Sequence, residues 1–203
     1  ISGTPTLVSS TSIYTVTALN SGGSTSFGVS ITVNDVAPSA LSYNSPNVFT
    51  VGSSIVNLVP SFTGNVSSFS IAPALPSGLS FDTTTGIISG TPNAVSATSI
   101  YTVTALNSGG STSFGVSITV NDVAPSTLNY PSPNVFTVGN SIVNLVPSFS
   151  GNVSSFSIAP SLPSGLSFDT TSGVISGTPN SVSATAIYTV TALNSGGSTS
   201  FGI

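Results

Sequence analysis

Four aspartates carry all of the side-chain charge of this sequence near neutral pH. They are Asp35, Asp82, Asp122 and Asp169, and they account for the formal charge of −4. Because Lys, His, Cys and Glu are absent, a Ser or Thr hydroxyl has no usual base that could activate it as a nucleophile. Zinc would find no His or Cys ligand, and the absence of Arg and Lys leaves nucleic-acid phosphates without a cation. The composition therefore predicts a protein that is not an enzyme, holds no cofactor and binds no nucleic acid.

Two of the aspartates open short polar runs that end in glycine. Residues 82–86 read Asp-Thr-Thr-Thr-Gly, and residues 169–173 read Asp-Thr-Thr-Ser-Gly. A carboxylate in this position commonly accepts hydrogen bonds from the backbone amides of a turn, which is the role predicted for Asp82 and Asp169. Aspartic-protease chemistry needs two carboxylates that share a proton, and the two residues inserted between Asp-Thr and Gly depart from its Asp-Thr-Gly signature.

The elements that position these residues are predicted to be strands. Hydrophobic residues make up 38% of the chain, and most are the β-formers Val, Ile, Leu, Phe and Tyr. Residues 114–120 alternate apolar and small polar side chains, which is typical of a strand with one buried face. The run Asn107-Ser108-Gly109-Gly110 precedes it and predicts a hairpin turn. No apolar run reaches the length that a membrane-spanning helix needs, so the fold class predicted is all-β.

The sequence repeats with a period of 87 residues. Ile13, Ile100 and Ile187 each begin the same octapeptide, Ile-Tyr-Thr-Val-Thr-Ala-Leu-Asn, and residues 37–116 match residues 124–203 at 69 of 80 positions. This period suits a small β-sandwich better than a solenoid repeat. We predict the C-terminal part of a truncated repeat over 1–36, a complete repeat over 37–123, and a repeat over 124–203 that lacks its last few residues. The opening Ile-Ser-Gly-Thr-Pro recurs at 88–92, so we expect the chain to be part of a longer array.

About seven strands are predicted in each complete repeat, with turn signals every 8–12 residues. Tyr101 lies in the last hairpin, where immunoglobulin domains carry a tyrosine two residues before a core position occupied here by Val103. Tyr101 is predicted to be either this corner tyrosine or an ordinary core residue. Tyr43 and Tyr130 lie in the first strand of their repeats. Core or interface packing is predicted for both, with stacking on sugars as the alternative.

The repeats meet at Asp35 and Asp122, each of which follows an Asn. Cadherin-like arrays hold calcium at such junctions, but calcium takes 6–8 oxygen ligands, and one Asp beside an Asn supplies few. The prediction is therefore no metal, with calcium at Asp35 and Asp122 as the alternative. Pro125 stiffens the short linker between repeats, which favours a semi-rigid array.

The repeat resembles a known family, the Putative-Ig repeats of bacterial surface proteins, which have an immunoglobulin-like or cadherin-like fold. The resemblance rests on Leu-Pro-Ser-Gly-Leu-Ser-Phe-Asp at 75–82, Thr-Gly-Ile-Ile-Ser-Gly-Thr-Pro at 85–92 and the closing Val-Asn-Asp at 120–122. The form Asn-Ser-Pro-Asn-Val-Phe-Thr-Val-Gly at 44–52 looks most like the giant adhesins of Bacteroidetes, including the mobile adhesins of gliding bacteria. This likeness implies an extracellular location on the bacterial cell surface.

The same resemblance draws attention to two classes of modification site. Asp-Thr-Thr at 82–84 and 169–171 fits the pattern of Bacteroidetes O-glycosylation, which makes Thr83 and Thr170 candidate acceptors. Asn65 and Asn152 begin Asn-Val-Ser sequons for N-glycosylation, and no such role is predicted for them in a bacterium.

Three functions are compatible with these observations. The leading prediction is the stalk of a long cell-surface adhesin, in which neighbouring repeats contact one another and a binding tip elsewhere meets surface glycans or other cells. The second is that each repeat is a weak carbohydrate-binding module that acts by avidity. The third is a spacer attached to a secreted enzyme.

Overall fold

The computed structural model describes residues 1–203 and consists of strands joined by turns and loops. It contains no helix, and therefore none that is long and apolar enough to cross a membrane. Two compact units are present: residues 1–47, 54–91 and 98–118 form the first, and residues 48–53, 92–97 and 119–203 form the second. The predicted all-β class is confirmed, whereas the repeat boundaries after residues 36 and 123 stay a prediction.

Seventeen strands make up this structure. In chain order they are β1 (Ser9–Asn20), β2 (Gly23–Val33), β3 (Ser39–Ser42), β4 (Asn47–Thr50), β5 (Ser61–Thr63), β6 (Ser68–Ala72), β7 (Leu79–Phe81), β8 (Ile88–Gly90), β9 (Ser96–Asn107), β10 (Gly110–Asn121), β11 (Ser126–Asn129), β12 (Ser148–Ser150), β13 (Ser155–Ala159), β14 (Leu166–Phe168), β15 (Ile175–Gly177), β16 (Thr189–Asn194) and β17 (Gly197–Gly202).

The larger sheet of repeat 37–123 has four strands in the order β4-β10-β9-β6. Its inner face follows the alternation read from the sequence, because every second side chain is buried from residue 101 to 105 of β9 and from 116 to 120 of β10. These buried residues are Tyr101, Val103, Ala105, Val116, Ile118 and Val120. On β6, Phe69 is buried opposite Ala105, with which it pairs in antiparallel register.

The facing layer is built from short pieces. Strands β3 and β5 pair with each other, as do β7 and β8, and an isolated bridge joins Leu58 to Ile88. Leu41, Leu58 and Ile88 from this layer are buried. The segment from Val56 to Phe62 is divided, because Pro60 has no amide hydrogen to donate to a neighbouring strand. Pairing resumes only at Ser61, where β5 begins.

Repeat 124–203 has a matching but shorter core. Its sheet has the order β13-β16-β17, and β11 pairs with β12 and β14 with β15. The buried cluster consists of Leu128, Tyr130, Leu145, Phe156, Ile175, Val190 and Ala192, and the partly buried Phe168 of β14 and Phe201 of β17 pack against it. Residues 134–137, which correspond to β4, form no strand. Strand β4 pairs with β10, and the counterpart of β10 is the shorter β17, which ends at Gly202.

Residues 1–36 contain only the hairpin of β1 and β2. The strands pair in antiparallel register from Ser9 opposite Val33 to Asn20 opposite Gly23. All residues of β1 are exposed, including Val16, and Phe27 of β2 is 75% exposed. Two strands alone cannot bury the apolar face of such a hairpin.

Candidate functional site

The Asp turn, defined as residues 82–86 and its counterpart 169–173, has the capped geometry predicted from its sequence. Oδ1 of Asp82 accepts hydrogen bonds from the backbone amides of Thr84 and Thr85, at 2.7 and 3.1 Å. These amides lower the pKa of Asp82 below its ordinary value of 3.8, because they stabilise the charged form. In the second copy the same bonds run from the amides of residues 171 and 172 to Asp169, and they lower its pKa likewise.

A buried tyrosine holds the glycine of each Asp turn. The hydroxyl of Tyr43 donates to the carbonyl of Gly86 at 2.6 Å, and burial raises the pKa of Tyr43 to about 12. Gly86 has a φ of +74°, and a Cβ there would lie 2.9 Å from the Tyr43 hydroxyl, so no other residue fits without displacement. Tyr130 and Gly173 repeat this bond at 2.6 Å.

These tyrosines decide two alternatives left open by the sequence. Tyr43 and Tyr130 are 8% and 3% exposed, so the core role is confirmed and the sugar-stacking alternative is wrong for both. Tyr101 is also buried, but its hydroxyl makes no hydrogen bond with another residue of the chain. Tyr101 therefore forms no tyrosine corner and is an ordinary core residue, whereas the Tyr43 hydroxyl bonds a backbone carbonyl 43 residues away.

The carboxylate of Asp35 is bound at both oxygens. Oδ1 accepts the backbone amide of Val36 at 2.8 Å, and Oδ2 accepts the side-chain amide of Asn65 at 3.0 Å. The backbone amide of Asp35 donates to the Ser108 hydroxyl at 2.9 Å. Asp35 is therefore held by the Asn65 side chain, 30 residues away in sequence, and by Ser108, 73 residues away.

A buried asparagine, Asn107, forms hydrogen bonds with the residues next to Asp35. Asn107 is 7% exposed, and its side-chain amide donates to the carbonyls of Val36 and Asn65, at 2.6 and 2.9 Å. Its carbonyl oxygen accepts the amide of Gly109 at 2.8 Å. We call this set the junction clamp. Its members are Asp35, Val36, Asn65, Asn107, Ser108 and Gly109.

The clamp occurs a second time with nearly the same distances. The amide of Asp122 donates to Ser195 at 2.9 Å, and Asn152 donates to Asp122 Oδ2 at 2.9 Å. Asn194 donates to the carbonyls of Val123 and Asn152 at 2.6 and 2.9 Å. The second clamp comprises Asp122, Val123, Asn152, Asn194, Ser195 and Gly196.

The clamp bears on the metal and glycan hypotheses. Calcium at Asp35 or Asp122 would need more oxygen ligands than one carboxylate, and both oxygens of each already accept N–H donors. No group of three or more acidic or other metal-ligating residues occurs in the chain. Calcium therefore stays an untested and disfavoured alternative. Thr83 and Thr170 are exposed on the Asp turns, and their O-glycosylation stays a prediction.

Sequence reasoning missed the most connected residues of the clamp. Asn107 was assigned only to a turn, and Asn65 only to a sequon. The available signal was that Asn107, Ser108 and Gly109 recur without change at 194–196, as do Asn65 at 152 and Asp35 at 122. The chain offered no way to know that these segments meet.

The profile of the family described as "Putative Ig domain" matches residues 31–121 and 124–203, which is most of the chain. The chain belongs to the Putative Ig domain family. This confirms the resemblance predicted from residues 75–92 and 120–122. Each of the two matched ranges contains one Asp turn and one Asn-Ser-Gly-Gly turn of the junction clamp, and the first range also contains Asp35.

Relatives of this Putative Ig chain include proteins named "Serine-rich adhesin for platelets" from Staphylococcus aureus. In strain MRSA252 the identity is 33% over 141 residues, covering 68% of this chain and 10% of the relative. In strain USA300 the identity is also 33% over 141 residues, and the share of the relative is 6%. The chain thus spans a tenth or less of these adhesins. The likeness to Bacteroidetes gliding adhesins stays a prediction.

Solved structures support the fold of the Putative Ig chain. An I-band fragment of titin has a TM-score of 0.50 at 18% identity, covering 95% of this chain and 72% of the titin chain. A fragment of Dscam1 with four Ig domains has a TM-score of 0.50 at 14% identity, covering 83% of this chain and 44% of the other. At these identities the likeness concerns the fold alone, and it confirms the predicted immunoglobulin-like β-sandwich.

Proposed function

We propose that this chain is a structural repeat region of a secreted cell-surface adhesin, which holds a binding tip away from the cell. The observation that carries the proposal is the tandem array itself: immunoglobulin-like repeats of 87 residues, nearly identical in sequence and similar to staphylococcal adhesins. Reach and spacing require many copies of one stable domain, whereas a specific binding site requires only one.

The chemistry of the surface supports a structural role and no catalytic one. The titratable tyrosines with a raised pKa are buried in the core, and the aspartates with a lowered pKa accept hydrogen bonds from their own turns. Hydroxyl groups also form hydrogen bonds with each other across neighbouring strands. Thr104 of β9 bonds Ser113 of β10, and Thr191 of β16 bonds Ser200 of β17, both at 2.9 Å. Such pairs place polar groups on an almost uncharged surface.

The proposal is tested by exchanging the array in the parent adhesin. Cells would display the native protein, a version with fewer of these repeats, and a version with the same number of unrelated immunoglobulin domains. Adhesion in flow should fall when repeats are removed and should recover with the unrelated domains. If the unrelated domains fail to restore adhesion, the repeats themselves bind a ligand, and the proposal is wrong.

The second candidate is a weak glycan-binding module that acts by avidity. Its support is the relatives' adhesin name and the hydroxyl-rich outer faces. Applying the 203-residue chain to a glycan array, as a monomer and as a multimer on beads, separates the candidates. The structural proposal expects no signal in either form, whereas bead-dependent binding to one glycan class would favour the module.

A further inference from the structure

The turn Asn-Ser-Gly-Gly and the Asn-Asp-Val segment occur together as a matched pair. At residues 107–110 the turn bonds the segment 34–36, and at 194–197 an identical turn bonds the segment 121–123. The hydrogen bonds of the two copies agree within 0.1 Å. Two copies with the same partners indicate a site built for that segment.

The fit of the segment depends on a glycine. A Cβ on Gly109 would lie within 2 Å of the Asp35 carbonyl oxygen, and a Cβ on Gly196 would lie 2.0 Å from that of Asp122. Neither glycine has a positive φ. The requirement for glycine therefore comes from close approach of the bound segment and not from the backbone conformation of the turn.

The donors of the site match an acidic segment. Asn65 and Asn152 each direct a side-chain amide to the free carboxylate oxygen, and Ser108 and Ser195 accept the aspartate's backbone amide. Hydrogen bonds to an ionised acceptor are stronger than those between neutral groups. The site thus compensates the one charge of the segment without a cation.

We propose that the Asn-Ser-Gly-Gly turn, together with Asn65 or Asn152, is a recognition site for the Asn-Asp-Val end of the preceding repeat. It joins successive repeats by hydrogen bonds and needs no metal ion. The partner is the acidic end of the preceding copy of the same repeat in the chain. This inference deepens the structural role proposed above but does not depend on what the adhesin binds.

The first hairpin supplies a matched control. Residues 20–23 have the same turn sequence, and a Cβ on Gly22 would meet only the Asn20 side chain, at 3.4 Å. The Gly22 amide donates to Asn20 Oδ1 at 2.8 Å, as Gly109 does to Asn107. Gly22→Ala therefore makes the same change in a turn with no bound segment.

The test uses amide hydrogen exchange by NMR in the complete 203-residue chain. The reporter is the backbone amide of Asp122, which the clamp binds. The reference is the amide of Val123, whose bond to Asp122 Oδ1 is local. Gly196→Ala should speed exchange at Asp122 by about tenfold or more through local opening. Gly22→Ala should leave it unchanged.

A smaller substitution tests the same contact with less disturbance of the fold. Ser195→Ala removes only the hydroxyl that accepts the Asp122 amide, with Ser21→Ala as its control in the first turn. Exchange at Asp122 should rise in Ser195→Ala, while the core amide of Val190 stays protected. Unchanged exchange in both Gly196→Ala and Ser195→Ala would overturn the proposal. A change in Asp122 exchange on adding calcium or EDTA would overturn the metal-free part. Neither result bears on adhesion, which the array exchange tests separately.

Discussion

Replacing Tyr43 and Tyr130 together by Phe isolates one hydrogen bond in each repeat. The substitution keeps both buried rings and removes the hydroxyls that donate to Gly86 and Gly173 at 2.6 Å. A hydrogen bond of this kind contributes about 1 kcal/mol net, and a buried acceptor left unpaired costs about 1–3 kcal/mol. We therefore expect the free energy of unfolding to fall by about 1–2 kcal/mol for each repeat.

Tyr101→Phe is the matched control for this prediction. Tyr101 is 5% exposed, so its ring is as buried as that of Tyr43, but its hydroxyl bonds no other residue of the chain. Because no buried side-chain oxygen of the chain lacks a hydrogen-bond partner, the Tyr101 hydroxyl reaches solvent, and its removal should change the free energy of unfolding by less than about 0.5 kcal/mol.

The assay is denaturant unfolding of the complete chain followed by far-ultraviolet circular dichroism. Changing both repeats at once removes the same hydrogen bond from each, so the transition should move to lower denaturant without a change of slope. The reasoning is refuted if Tyr101→Phe destabilises the chain as much as the double variant does. It is also refuted if the double variant unfolds at the wild-type midpoint.

Four further predictions concern pH, salt and metal. Burial raises the pKa of Tyr43 and Tyr130 from an ordinary 10.0 to about 12 in the folded state, so the folded state is destabilised as pH rises from 10 toward 12. The melting temperature should therefore fall across this range. It should fall less in the variant with Phe at both positions. Backbone amides lower the pKa of Asp82 and Asp169 below 3.8 in the folded state, so the stability that these carboxylates contribute above pH 3.8 should be lost as the pH falls through their folded-state pKa. In the variant with Asn at both positions the melting temperature should depend less on pH in this acid range. An unchanged pH dependence would contradict the capping role of these aspartates. The side chains include no cation, so there is no side-chain ion pair for salt to screen. The melting temperature should therefore be nearly independent of sodium chloride concentration and constant from about pH 6 to 9. A shift of several degrees would reveal a charged site that the structure does not contain. EDTA should leave the melting temperature unchanged, whereas a fall would support calcium at Asp35 and Asp122.

The local features of this fold were predictable because short segments encode them. Alternation over 114–120 predicted a strand with one buried face, and β10 buries Val116, Ile118 and Val120 as expected. The run at 82–86 predicted a turn capped by Asp82, whose partners lie only two and three residues away. Such interactions depend on neighbours in the chain, so the sequence is sufficient to identify them.

The features missed join residues that are far apart in sequence. Asn107 reaches Val36 across 71 residues, and Tyr43 reaches Gly86 across 43. Periodicity and turn signals describe one segment at a time and do not state which segments meet. For the same reason the sequence does not show that the tyrosine whose hydroxyl bonds a distant backbone carbonyl is Tyr43 and not Tyr101.

The sequence by itself determined the class, the period and the excluded chemistry. A chain without Lys, Arg, His, Cys or Glu cannot build the usual catalytic or zinc sites, whatever its fold, because the reacting groups are absent. Only the tertiary structure decided which distant groups bind Asp35 and Asp122. Asp82 and Asp169 bond their own turns, whereas Asp35 and Asp122 are bound by side chains 30 residues away. The physical reason is that a carboxylate is stabilised by whichever N–H groups packing brings within about 3 Å of it, and packing is a property of the whole fold.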